Sequence, residues 1–178
     1  MTMPFQLEFN MRRRPRNLPF ALVPALVMAV TAPVVMASES SMATGKLSVE
    51  GPDATLVISL NHAYYVSGPN RFDETKTVRS IVFTADDQRA AINACPDMRC
   101  AMLSSSDGLQ IEIGDDGAVN WWAHVAPIQY SSTASGDALK LSVDSAGRVA
   151  GSFKLGGSGA TAAVEFDASL IRDFSKTE

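Results

Sequence analysis

Leu109-Gln110-Ile111-Glu112-Ile113 and Val119-Asn120-Trp121-Trp122-Ala123-His124-Val125, joined through Gly114-Asp115-Asp116-Gly117, decide the fold. The outer runs read as strands, and Gly-Asp-Asp-Gly between them is a strong tight-turn signal, so the stretch is a β-hairpin. Neighbouring side chains on a strand point to opposite faces. Val119, Trp121, Ala123 and Val125 therefore form one apolar row facing a core, while Asn120, Trp122 and His124 share the other face.

The same grammar extends in both directions. Upstream, residues 46–50, 54–66 and 77–84 read as strands. In the second of these, Leu56, Ile58, Leu60, Tyr64 and Val66 fall on one parity, the period-2 mark of a half-buried strand. A loop follows over residues 67–76. Downstream, residues 138–143, 147–155 and 161–171 are strands joined by Asp144-Ser145-Ala146-Gly147 and by Gly156-Gly157-Ser158-Gly159. Ala162, Val164, Phe166, Ala168 and Leu170 face inward, and Leu139, Leu141, Val143, Val149, Phe153 and Leu155 supply a facing layer. Lys46-Leu47-Ser48-Val49-Glu50 and Lys140-Leu141-Ser142-Val143-Asp144 look alike, but five residues are too few for a repeat.

One helix is expected. Thr84 stands as its cap with Asp87 three residues on, and Pro96 stops it after about Ala94. The expected architecture is all-β: an antiparallel sandwich or barrel of eight to nine short strands, with the helix covering an open end or edge.

Export is read from the N-terminal segment. Arg12, Arg13, Arg14 and Arg16 form a cationic region before the apolar residues 21–37, which end in Val35-Met36-Ala37. These flanks fit a secretory signal cut after Ala37. An uncleaved anchor is the other reading, but the apolar run is short for a bilayer and carries Pro24 and Pro33. Residues 38–45 then read as a disordered leader and residues 46–178 as a single domain. Cleavage would leave 11 basic against 18 acidic residues, net −7. Such a chain has no basic stripe with which to release counterions, which argues against nucleic acid as a partner. It is expected in the periplasm or secreted, without membrane insertion once the signal is removed.

Only two cysteines occur, in Cys95-Pro96-Asp97-Met98-Arg99-Cys100. In an oxidising compartment they are expected to form a structural disulfide. A redox pair normally has two intervening residues and its nucleophile at a helix N-terminus, whereas Cys95 falls at the expected C-terminus. Soft-metal binding is the alternative: Cys95, Met98, Cys100 and Met102, with a histidine, offer sulfur ligands suited to Cu(I). No cofactor or resident metal is expected on the main reading.

The Trp122 face is the other candidate. An exposed indole beside polar groups can stack on a ring while its neighbours hydrogen-bond. Trp122, His124 and Asn120 are the expected ligand-binding residues, with Tyr65 or the 67–76 loop alongside. The opposing reading packs Trp122 beneath that loop and makes His124 a hydrogen-bonded surface residue. His62, on the core parity of its strand, reads as a satisfied core or rim histidine.

Enzyme signatures are missing. Gly156-Gly157-Ser158-Gly159-Ala160 has Ala where a nucleophile elbow needs its last Gly, and it sits in a hairpin. There is no phosphate-binding Gly loop and no zinc-type Cys/His spacing. Asp115-Asp116-Gly117 lacks the alternating ligands of a calcium loop.

Leu60-Asn61-His62-Ala63-Tyr64, the helix-and-cysteine segment, Gly147-Arg148-Val149-Ala150-Gly151-Ser152-Phe153 and Val164-Glu165-Phe166-Asp167-Ala168 resemble a group of exported bacterial β-proteins. These pair an L-x-H-A-Y segment with a G-x-V-x-G-x-F … V-x-F-D-A ending. The resemblance implies export and an all-β fold, and brings no activity. The function expected is that of an exported, non-enzymatic binding or envelope-associated module for a small molecule, a glycan or an envelope protein.

Overall fold

A computed structural model describes residues 41–70, 73–103, 107–157 and 159–176. The expected signal segment, residues 1–37, and residues 38–40 lie outside the described residues. Nine strands are present: β1 (Ser41–Glu50), β2 (Thr55–Pro69), β3 (Thr77–Thr84), β4 (Gly108–Ile113), β5 (Val119–Val125), β6 (Ile128–Thr133), β7 (Leu139–Asp144), β8 (Arg148–Leu155) and β9 (Ala160–Asp173). They form one sheet in the order β6-β5-β4-β3-β2-β1-β9-β8-β7. The all-β architecture is thus present, but as a single curled sheet and not as the two facing sheets of a sandwich.

The reason lies at β1. Leu47 pairs with Ile58 of β2 on one side and with Ala162 of β9 on the other. Beyond the start of β1, the two long flanking strands close on each other in parallel, Tyr65 opposite Leu170 and Val66 opposite Arg172. No gap is left at which the strands could separate into two sheets. The strand begins at Ser41, which corrects the leader expected through residue 45: Met42 and Thr44 pair with Asp167 and Glu165 of β9. Small polar side chains look leader-like in sequence, yet the ladder uses only backbone groups.

The curl encloses Leu47, Val49, Ile81, Phe83, Leu109, Ile111, Phe153 and Phe166. Phe83 and Phe166 meet edge-on with centroids 5.4 Å apart. Side chains of this size stabilise by about 1.5–3 kcal/mol each when fully buried. In the deciding hairpin, Trp121 pairs with Ile111, Val119 with Ile113, and Gly117 takes φ +78° at the turn. The four expected inward residues of β5 are buried, and so are Val149, Phe153, Val164, Phe166 and Ala168. Leu139, Leu141 and Leu155 pack against them from partly buried positions.

Two contacts fasten the curl. The Tyr130 hydroxyl on β6 donates to the Glu50 carbonyl (3.2 Å), and its ring occupies the space a side chain at Gly159 would need. Elsewhere Arg79 of β3 pairs with Asp144 of β7.

The helical region differs from expectation. It holds two six-residue helices, α1 (Arg89–Ala94) and α2 (Met98–Leu103). Thr84 does not cap α1: its hydroxyl donates to the Asp86 carbonyl (2.6 Å), and Gln88 occupies the N-cap without a side-chain bond. The helix stops at Ala94, with Cys95 extended before Pro96, as Pro96 requires. The pair lies on the outer face of the sheet, not over an end or edge. Ile92, Cys95, Met98 and Ala101 pack there on Tyr64, Val66, Val78 and Val82.

A side chain at Gly45 would place Cβ 2.3 Å from the Ala163 carbonyl oxygen and 2.6 Å from Val164 Cα. Gly45→Ala should therefore lower stability by about 1–3 kcal/mol. Gly136→Ala, with nothing within 4 Å of its Cβ position, should change it by less than about 0.5 kcal/mol. Urea unfolding of the two variants checks this; equal midpoints would mean that β1 and β9 are not in close register at Gly45.

Candidate functional site

The hairpin register builds the outer face residue by residue. Gln110 lies opposite Trp122, Glu112 opposite Asn120 and Gly108 opposite His124. On the other side Val82 pairs with Gln110 and Ser80 with Glu112. Because α1 and α2 cover the neighbouring β2 and β3, positions that would otherwise meet water are buried: Ser80 is 0% exposed, Gln110 8% and Glu112 9%.

Between α2 and this face lies a pocket of about 300 Å³. Met98, Arg99 and Met102 line it from the helix. Trp122 and His124 line it from β5, and Gln110 and Glu112 from β4. Pro69 and Val78 add apolar surface, and Gln129 of β6 stands opposite His124. Met98 and Met102 are four residues apart, which puts both on one side of α2. The two regions singled out in the sequence, the Trp122 face and the cysteine segment, are thus opposite walls of one cavity. Trp122 is partly buried in it.

Among the described residues, two buried side-chain polar atoms find no hydrogen-bond partner, Ser80 Oγ and Gln110 Nε2. Both belong to this outer face, and Gln110 lines the pocket. A buried donor without an acceptor costs about 1–3 kcal/mol.

The other expected site residues are placed differently. Asn120 remains on the Trp122 face but does not line the pocket; its Oδ1 accepts from Thr133 Oγ1 at 2.8 Å. Tyr65 is corrected: it is 2% exposed inside the curl, on the opposite face from Trp122. The register between β1 and β2 slips near Met42, and the inward residues of β2 pass from Leu60 to Ala63 and Tyr65. That slip turns Tyr64 outward. It also takes His62 off the core row and stacks it on Tyr64, with centroids 6.2 Å apart. The loop expected from residue 67 is shorter, since β2 runs to Pro69.

His62 and His124 cannot share a ligand. They occupy one row, His62 opposite Thr84, Thr84 opposite Gly108 and Gly108 opposite His124. Three strand spacings separate them, roughly 14 Å. Among the described residues no group of three or more His, Cys, Asp or Glu is placed to hold a metal ion.

Cys95 and Cys100 are joined as a disulfide, with Cα atoms 5.4 Å apart. It ties the end of α1 to the middle of α2 and so holds the pocket's helical wall. On the chain-entropy model so small a loop is worth about 2 kcal/mol. Joined, neither sulfur is a thiolate ligand. Among the described residues no helix is long and apolar enough to cross a membrane.

A second polar cluster lies at the start of α1. Tyr64 donates to Asp87 Oδ1 (2.6 Å) and accepts from the Gln88 amide (2.8 Å), while the Arg89 amide donates to the same carboxylate oxygen (2.9 Å). The two bonds of Tyr64 dock the helix entry onto β2, and the Arg89 amide holds the Asp87 carboxylate locally, a structural use. Burial first, and then the Asp87 hydrogen bond, push the Tyr64 phenol up to about 12. The bond from Tyr64 holds the Asp87 carboxyl below its ordinary value. A shallow depression of about 580 Å³ also crosses β1, β9, β8 and β7. It is an open trough, and Asp167 on its wall forms paired bonds to Arg148 (2.7 and 2.6 Å).

Gln110, Glu112 and Arg99 were not singled out by sequence reasoning as site residues, and Met98 and Met102 were named only as soft-metal ligands. The signal in the sequence was only the pair of polar residues alternating with Leu109, Ile111 and Ile113, and their burial is seen in the structure alone. No protein-family model, curated protein or solved structure matches the chain.

The Tyr64 phenol should ionise near pH 12. In the unfolded chain it ionises near 10, so folding stability should fall as pH rises between those values. Asp87→Ala removes one cause and should bring the ionisation down, leaving it above 10 because burial remains. Absorbance at 295 nm tests this, and an unchanged titration in the variant would show that Asp87 does not hold Tyr64.

Proposed function

We propose that this protein is an exported small-molecule-binding module whose site is the pocket between α2 and the β4–β5 hairpin. The observation that carries the reading is a partly buried indole facing two thioethers across a pocket of about 300 Å³, whose floor includes an unpaired amide donor. Ligand pockets begin at about this volume and combine apolar walls with a few converging polar groups. The size suits a molecule of one or two rings, which favours a small molecule over an envelope protein or an extended glycan. Trp122 stacks on the ligand while His124 and Gln110 supply hydrogen bonds. The reading is of binding without catalysis, because the groups lining the pocket form a recognition surface. Export is supported by the arginine-led apolar segment and by the disulfide, which suits an oxidising compartment. Placement in the periplasm or outside the cell belongs to the same proposal.

A second reading has one observation in its favour: Met98, Met102 and His124 line the same pocket. Two thioethers and an imidazole suit a soft monovalent cation without any thiolate.

On the main reading, Trp122→Ala abolishes ligand-induced chemical-shift changes across the pocket while the far-ultraviolet circular dichroism is preserved. Loss of folding in that variant would make Trp122 a structural residue and sink the site. Silver ion separates the two readings. Stoichiometric Ag(I) binding that disappears in a Met98→Leu/Met102→Leu variant would replace the organic ligand by a metal. A mature mass beginning at Ser38, two daltons below that of the reduced protein, is the outcome expected of the exported form.

A further inference from the structure

Among the features of the described surface, the pocket floor says most about what would fill it. Gln110 is 8% exposed and lines the cavity, yet its Nε2 has no acceptor among the described residues. An amide that is nine-tenths buried and still owed a partner specifies the complementary group: an acceptor oxygen brought by whatever occupies the pocket. Charge narrows the class further. Glu112 lies two residues along the same strand on the same face, and Arg99 reaches the cavity from α2. A ligand anion would meet the Glu112 carboxylate in poorly hydrated surroundings, and a cation would meet the Arg99 guanidinium. Among the described residues the lining carries one charge of each sign, which leaves little net preference for a charged ligand. Above the floor, Trp122 and the Met98 and Met102 thioethers offer flat, polarisable surfaces suited to a ring.

We propose that the ligand is an uncharged, flat ring compound bearing a carbonyl or amide oxygen, with the oxygen accepting from Gln110 Nε2 and the ring lying against Trp122. This rests on the reading of the pocket as a binding site and names the class of molecule it takes. The mismatch at Gln110 is then the cost of specificity. The Gln110 amide is closed to water before any ligand arrives, so a molecule lacking an acceptor costs it nothing further, while one whose oxygen reaches it gains a hydrogen bond.

Benzamide, benzoate, benzylamine and toluene test the class, because they share a ring and differ in the group it carries. Binding is followed through the Trp122 indole N–H and the Gln110 side-chain amide by NMR. Benzamide should shift both resonances and bind at least about tenfold more tightly than toluene, the equivalent of one good hydrogen bond. Gln110→Met keeps the length of the side chain and removes the donor. It should erase the benzamide advantage, leave toluene binding unchanged and raise the melting temperature of the ligand-free protein, since an unpaired buried donor has been deleted. A lower melting temperature in that variant would show that Gln110 is already satisfied, and the proposal would fall. Tighter binding of benzoate or benzylamine than of benzamide would overturn the uncharged class. Equal binding of all four would overturn the role of Gln110 while the pocket stands as a site. If none of the four moves the Trp122 resonance, both the ligand class and the pocket reading fail.

Discussion

A single curled sheet has one interior, so whatever is buried on its outside must be covered by something that is not sheet. The centre of this sheet is buried on both faces. All six residues of β4 are buried, and in β3 the burial runs unbroken from Ser80 to Thr84. The inward residues find each other across the curl. The outward residues Tyr64, Val66, Val78 and Val82 depend on α1 and α2. Helices of six residues have no independent stability, because nucleation costs more than so few hydrogen bonds return. Their persistence comes from Ile92 and Met98 pressed onto the sheet, from Tyr64 gripping the entry to α1, and from the Cys95–Cys100 bond that makes one unit of the pair. The pocket exists because this cover stops short of β5.

Sequence reading captured what depends on local period and missed what depends on which face is covered. The β4–β5 hairpin, the alternation of Trp121 and Trp122 and the inward row of β9 all follow from a period of two, which the chain displays openly. Tyr65 was misplaced for a physical reason. The alternation in β2 continues cleanly through Leu60, and nothing in the residues around Asn61 announces the slip in pairing with β1 that turns the following side chains over. Gln110 and Glu112 were passed over because polar residues at alternate positions ordinarily mean a solvated face. Only the position of α2 makes them a buried floor. The helix itself was legible, and its end at Pro96 was set by proline chemistry. Its start was not, because the capping side chains found other partners: Thr84 bonds the Asp86 carbonyl, and Asp87 turns to Tyr64 and Arg89.

The two edge strands of the sheet, β6 and β7, carry little that would template further pairing. On β7 Lys140 and Ser142 are exposed and polar, Asp144 beyond the bulge turns to Arg79 across the curl, and on β6 four of six residues are exposed and polar. Charged and polar edge strands make poor templates for further pairing. The curl also turns β6 inward at Tyr130, whose hydroxyl bonds the Glu50 carbonyl, so part of that edge is spent on closing the molecule. Both edges are thus managed by local chemistry.

What distinguishes the middle of the sheet is the choice of residues on one continuous face. Tyr64, Val66, Val78 and Val82 show what the chain puts outward where covering is the only requirement. On the same face Ser80, Gln110 and Glu112 are polar and no less buried. Apolar side chains at these positions would have sealed the helices more firmly and avoided the desolvation of an unpaired amide. Stability alone gives no reason for the unpaired Ser80 hydroxyl and Gln110 amide. Of the three polar residues, Gln110 and Glu112 line the cavity that Trp122 and Met102 also line, whereas Ser80 lies between the covered Val78 and Val82. On the proposed reading, a chain that leaves an amide unpaired at one spot, where shape also leaves room for a ligand, is organised there around recognition.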